Sequence, residues 1–349
     1  MTSTASAITA EEALALFRRA CAGRDELAEN ARVLGEKRGS INQIFHIEAN
    51  GKQFALRLRY NERHFQYEKG VFKEVVAALL FSACDEGNVG GAGRELGDAW
   101  GRIAGSRSGA LICFACGADI IYFDFTGSDY AGPWAVLEWT GEALGADFGP
   151  AHAFHLGQIV SNIHRLRFQH AYRTFQDIRP RGVDIFNEWQ EEIVRRNNNT
   201  ACIVGPEAAL RRKLDGLAAE SRALNPQFVL CHNDLHCLNV TQKQGSLYLV
   251  DWDNAQIAPK ELDFVKFAHW SRLGADGHFE PDSAIFASFC AGYGAGAGAV
   301  LASPIFKLAE VVWLFRVLEF ASVLNGPANP PFWAPRRYAS LLRERLADI

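Results

Sequence analysis

The chain has 349 residues, 48% of them hydrophobic, and a formal net charge of -4. That length and apolar content support a large buried core and two lobes more readily than one. The charge leaves no basic field for nucleic acid, no Lys/Arg run offers a phosphate-tracking arm, and nucleic acid is excluded as an expected partner.

At the N-terminus, apolar positions at helical spacing follow Thr9, with Glu12 three residues on, so the segment reads as a helix opened by a capping box rather than as a signal peptide. INQIFHIEANGKQFALRLR (41–59) holds two β-rich runs joined by Asn50-Gly51, a hairpin signal. FQYEKGVFKEVVAALLFSA (65–83) returns to helical spacing through Val71, Val75 and Leu79, with Glu68 and Glu74 left charged. Residues 87–109 are rich in Gly and Ser and read as a loop. ALICFACGADIIYFDF (110–125) and PWAVLEW (133–139) read as two further strands of a small antiparallel sheet. Cys113 and Cys116 form a lone CxxC inside the first of these, and read as small core residues.

Beyond Thr140-Gly141 the pattern is predominantly helical, which predicts an α+β chain of two lobes, 1–140 and 141–349. AGYGAGAGAVLAS (291–303) lacks a preceding strand and the GxGxxG spacing, and reads as a helix-breaking loop. Late in the chain, AEVVWLFRVLEFASVL is interrupted by Glu310, Arg316 and Glu319, short of the roughly 20 uncharged residues a membrane crossing requires. Eight cysteines scattered without a secretory leader fit reduced thiols, and a cytoplasmic location is expected.

Two segments carry the chemistry. LCHNDLHCLNV (230–240) places Asp234 five residues before Asn239, and Asp251 follows twelve residues later at the end of the β-like run SLYLV. Two carboxylates and an amide oxygen are hard ligands suited to Mg²⁺ and substrate phosphates. The spacing His232-x-Asp234-x-x-x-x-Asn239, then a separate Asp251, matches a kinase catalytic loop and its metal aspartate. Asp234 would orient an attacking hydroxyl, and Asn239 and Asp251 would hold metal. His236 stands where a group could reach the transferring phosphate, or simply packs on the loop, while His232 reads as a loop anchor. The rival reading is zinc on Cys231, His232, His236 and Cys237, which adjacent Cys-His and His-Cys pairs could not place on one tetrahedron without strain.

VLCHNDLHCLNV and LYLVDWDNAQIAPKELDF together resemble the aminoglycoside phosphotransferase and choline kinase-like family, and the DWD turn looks closest to members that modify spectinomycin-like antibiotics. The resemblance implies a bilobal protein kinase-like fold, with most of residues 25–270 covered. It implies ATP or GTP with Mg²⁺ as cofactors and phosphoryl transfer to a small-molecule hydroxyl. By the same resemblance, Ser40 and Asn42 lie in a phosphate-covering turn and Arg57 replaces the third-strand lysine. Glu74 is the helix partner of Arg57, ahead of Glu68, and the backbone of Glu138 and Trp139 meets the adenine.

Acceptors in that family include antibiotics, choline, amino alcohols and sugars. A cationic acceptor could use Asp184, Glu188, Glu191 and Glu192 or the faces of Trp270, Trp313 and Trp333, although such groups more often form a solvated face and a core. A monomer or homodimer is expected, without nucleic-acid or membrane partners. The alternative to turnover is a nucleotide-binding pseudokinase, motivated by Arg57.

Overall fold

The computed structural model describes residues 7–22, 28–38, 42–59, 73–78, 80, 108–112, 117–126, 128–172, 182–199, 206–272, 283–323 and 335–348. Packing divides the chain into two compact units, the first running to Ala146 and taking in Cys237–Gln256, the second holding the remaining described residues. The first unit thus extends six residues past Thr140 and includes a segment that lies far along the second half of the sequence.

In the first unit, helix α1 (Ala10–Ala20) begins at Thr9, whose side chain accepts from the Glu12 amide while the Glu12 carboxylate accepts from the Thr9 amide. This is the expected capping box. Six strands follow in the order β1-β2-β3-β6-β5-β4. They are β1 (Arg32–Arg38), β2 (Asn42–Ala49), β3 (Lys52–Arg59), β4 (Ser108–Ile112), β5 (Ile120–Asp124) and β6 (Trp134–Glu138), and every pairing is antiparallel. Asn50 and Gly51 both take positive φ, 51° and 71°, which is what a two-residue turn matched to strand twist demands. The single strand expected across 110–125 is corrected to two, β4 and β5, paired with each other; Gly117 lies between them, and Cys113 and Cys116 fall outside the described residues.

Strand alternation sets what β3 presents to each side. Phe54, Leu56 and Leu58 join Leu16, Phe17, Phe45, Ile47, Trp134 and Val136 in one apolar cluster. Arg57, between Leu56 and Leu58, therefore points to the opposite face. A helical stretch, α2 (residues 73–78), supplies Glu74. Two short strands, β9 (Val240–Lys243) and β10 (Ser246–Leu249), complete this unit as a hairpin.

The second unit holds α3 (Pro150–Ile163), α4 (Ile185–Asn199), α5 (Glu207–Ala223), α6 (Glu261–Ser271), α7 (Ala284–Tyr293), α8 (Ala297–Ala302), α9 (Pro304–Val323) and α10 (Pro335–Ala347). A three-stranded sheet, β11-β8-β7, made of β7 (Arg167–Phe168), β8 (Phe228–Cys231) and β11 (Gln256–Pro259), carries the segment that leads into Asp234. The glycine run at 291–303 is corrected from a loop to a break plus a helix: Gly294 ends α7 at φ 99°, and α8 begins three residues later. Among the described residues no helix is long and apolar enough to cross a membrane.

Candidate active site

The first unit contains a buried charge cluster built around Arg57. Its Nη1 donates to Glu74 Oε2, and its Nη2 donates to Asp251 Oδ1 at 2.6 Å and to Asp253 Oδ1. Asn42 Nδ2 donates to Asp253 Oδ2 at 2.6 Å. One guanidinium thus faces three carboxylates. Burial works against the Arg57 charge, yet Asp253, Glu74 and Asp251 together push its pKa up. The carboxyls show the reverse: burial raises Glu74, and burial with Asp251 and Glu74 as neighbours pushes Asp253 up to about 7 against the pull of Arg57 and Asn42.

Asn42 Oδ1 adds a buried oxygen with no hydrogen-bond partner among the described residues. Carboxylate and amide oxygens are the donor types a divalent magnesium ion takes, so the residues present fit that ion in their chemistry.

The hairpin β9–β10 explains the twelve-residue spacing between Asn239 and Asp251. Gln244 and Gly245 close it with φ of 51° and 84°, Val240 pairs with Leu249, and Val250 N donates to Asn239 O at 2.9 Å. Asn239, buried in a short 3₁₀ turn at the foot of one strand, thereby stands beside the residue preceding Asp251 at the foot of the other. Asp251 itself is left-handed, φ 65° and ψ 60°, a strained conformation for a non-glycine residue that concentrates at functional sites.

In the second unit the loop bearing Asp234 is fixed from beneath. Asp263, on α6, accepts from the amides of His232 (3.0 Å) and Asn233. Its Oδ2 also meets His164 Nε2 at 3.0 Å, and His164 Nδ1 lies 3.0 Å from the Tyr293 hydroxyl. Asn233 takes φ 58°, tolerable for asparagine, and Asp234 N donates to His232 Nδ1 at 3.2 Å. His232 thus acts through the loop backbone. His236 Nε2 stands 3.6 Å from Asp234 Oδ1, facing the carboxylate rather than only packing on the loop.

Sequence reasoning missed Lys266, whose Nζ contacts Asp234 Oδ1. The available signal was its place three residues after Asp263 on one helix face.

Of the remaining predicted positions, Ser40 and Glu68 lie outside the described residues. Glu138 ends β6 and Trp139 follows it, but their amides already donate to Asp119 O (2.8 Å) and Gln53 O (3.0 Å). The Glu138 carboxylate meets Lys243, and the Trp139 ring stacks on His46 at 3.8 Å.

Three of the four acids considered for a cationic acceptor are held by arginines: Asp184 by Arg222, Glu191 by Arg211, and Glu192 by Arg196 and Arg316. Trp313 stacks on His269 and Trp270 packs edge-on to Phe148, while Trp333 is outside the described residues. The four residues of the zinc reading do not converge; Cys231 instead lies with His164 and Asp263. Burial, with Asp263 and Glu261 nearby, pushes the Cys231 thiol well above its ordinary range, and its sulfur donates to Ala258 O and Pro259 O, which opposes a thiolate ligand.

An antiparallel sheet with a buried cation–carboxylate cluster, and a helical unit presenting an anchored aspartate loop, define a protein kinase-like fold. Residues 116–301, just over half of the chain, match the family model APH, described as "Phosphotransferase enzyme family", and the chain belongs to that family. Its fold is that of an ethanolamine kinase from Plasmodium vivax (12% identity, TM-score 0.57, 98% of each chain covered). It is shared by a choline/ethanolamine kinase family protein from Mesorhizobium loti (14% identity, TM-score 0.51, 94% of this chain and 93% of that one). Aminoglycoside phosphotransferase APH(4)-Ia is similar at 12% identity and TM-score 0.51, with 97% and 98% covered. Comparison with curated proteins gives no match.

Proposed function

We propose that the protein is a Mg²⁺- and ATP-dependent kinase that moves the γ-phosphate of ATP to a hydroxyl of a small molecule of the antibiotic, amino alcohol or sugar classes. Asp234 accepts the hydrogen bond of the attacking hydroxyl and orients it, which suffices when the transition state is loose. Asn239 and Asp251 would hold the metal ion, which would supply positive charge beside the phosphates. Arg57, held by Glu74, faces the nucleotide phosphates, and Asn42 with Ser40 belongs to the turn over them. The observation that carries this reading is the cluster of three carboxylates on one buried guanidinium in a member of a phosphotransferase family.

The test is a Mg²⁺/ATP phosphorylation screen over aminoglycosides, spectinomycin, choline, ethanolamine, homoserine and simple sugars. Turnover of at least one acceptor is expected, abolished in Asp234→Ala; normal turnover in that variant would sink the assignment. A second reading, a nucleotide-binding pseudokinase, draws on Arg57 engaging the same Asp251 and Asp253 that would face the metal. Binding of Mg²⁺ and ATP without turnover across the whole panel would favour it.

A further inference from the structure

Helix α6 grips the Asp234 loop twice. Asp263 takes the amides of His232 and Asn233, and three residues on, Lys266 reaches Oδ1 of Asp234 itself. A spacing of three puts both groups on one helix face. The first grip fixes the backbone, and an orienting carboxylate needs no more than that to accept a hydrogen bond.

The second grip therefore calls for its own explanation. Side-chain exposures of 22% for Lys266 and 13% for Asp234 make this a pair largely withdrawn from water. An ammonium in such a place is costly unless paired. Bound to one oxygen, it restricts rotation of the carboxylate about its Cβ–Cγ bond, keeps the group ionised, and lowers its basicity, which suits orientation of a hydroxyl more than its deprotonation.

We propose that Lys266 is a positioning residue for phosphoryl transfer: its ammonium holds Oδ1 of Asp234 and so sets the plane and charge of the carboxylate that receives the acceptor hydroxyl. The inference rests on Asp234 having that role. Burial pulls the Lys266 ammonium down to about 8. His236 is another titratable group at this carboxylate, 3.6 Å from Oδ1. Asp263 is engaged by His164 of the region after α3 and by the loop amides, and His269 of α6 pairs with Glu310 of α9. The grip is thus intact while Lys266 is protonated and is lost as pH rises through its pKa, so kcat should fall along an alkaline limb at or above about pH 8.

The experiment uses the full chain and begins without turnover. Asp carboxyl signals are titrated by ¹³C NMR in wild type, Lys266→Met and Lys266→Arg, with Asp234→Asn assigning the Asp234 signal. The Asp234 midpoint is expected to rise by about one unit or more in Lys266→Met and to stay near wild type in Lys266→Arg. An unchanged midpoint in Lys266→Met overturns the proposal. Absence of transfer by the wild type in the acceptor screen is a separate result, a failure of the kinase reading alone. With an acceptor from that screen, Lys266→Met should lose about 10- to 100-fold in kcat at pH 7 with KM for Mg·ATP nearly unchanged, and should lack the alkaline limb, while Lys266→Arg retains most of the rate. Wild-type kcat and an unaltered limb in Lys266→Met would also overturn it.

Discussion

Arg57 is buried to 5% exposure on β3 and ties together residues as far apart as Glu74 and Asp253, the latter 196 positions along the chain. A guanidinium can do this because its two terminal nitrogens point to different partners, Nη1 to Glu74 and Nη2 to Asp251 and Asp253. Removing it leaves carboxylates buried without a cation, a loss of about 3–5 kcal/mol for a buried pair. Arg57→Ala is expected to lose stability on that scale in urea melts at neutral pH, and Arg57→Lys part of it, because one ammonium cannot span both directions. Stability of Arg57→Ala within about 1 kcal/mol of wild type would show that the cluster contributes little. At this scale the placing of Asp234 on its loop and of Asn239 near Asp251 was legible because the spacing is local and a hairpin closes the gap between the last two. The engagement of Arg57 by Asp253 was not, since no local pattern links residues so far apart. Lys266 was hidden too, because ELDFVK reads as an ordinary helix start with mixed charges.

Elements were legible where a local signal is strong. The capping box at Thr9 and the Asn50-Gly51 turn each name a backbone geometry directly. Strand β1 escaped because it is an edge strand with Arg32, Glu36, Lys37 and Arg38 on it, a composition that protects an edge but erases alternation. Strands β7 and β8 are too short, at two and four residues, to show a period. The contact of α3 with α7 also left no pattern, because it depends on single glycines. A Cβ built on Gly157 of α3 would lie 2.2 Å from the Phe289 carbonyl oxygen and 2.7 Å from the Tyr293 nitrogen, and one on Gly292 would lie 1.9 Å from the Phe154 carbonyl oxygen. These are backbone atoms, so the helices themselves must separate to admit a methyl. Gly157→Ala is expected to destabilise by about 3 kcal/mol, more than helix propensity returns. Because Tyr293 also holds His164, and His164 holds Asp263, the same variant should loosen the Asp234 loop. Hydrogen exchange at the His232 and Asn233 amides measures that; protection equal to wild type would show that the loop does not depend on this crossing.

Over the whole molecule, a net charge of -4 conceals an uneven distribution. In the second unit two buried acids meet cationic partners: Glu192 meets Arg196 and Arg316, and Glu310 meets His269 and Arg345. In the first, Glu74, Asp251 and Asp253 share Arg57. A cation that binds this set only in the folded protein stabilises it by mass action, about 2.7 kcal/mol at a hundredfold excess over Kd. For a unit of this size that corresponds to a rise in Tm of roughly 5–10 °C. Calorimetry with Mg·ADP, which binds without transfer, should show it, and EDTA should remove the metal-dependent part. Asp251→Asn should lower the gain from Mg²⁺ because it deletes one of the proposed ligands. If the melt resolves two transitions, the one that moves should belong to the first unit, where Asn42, Arg57, Glu74, Asn239 and Asp251 all lie. A Tm indifferent to Mg·ADP at millimolar concentration would mean that the carboxylate cluster is a structural feature and not a site for metal and nucleotide.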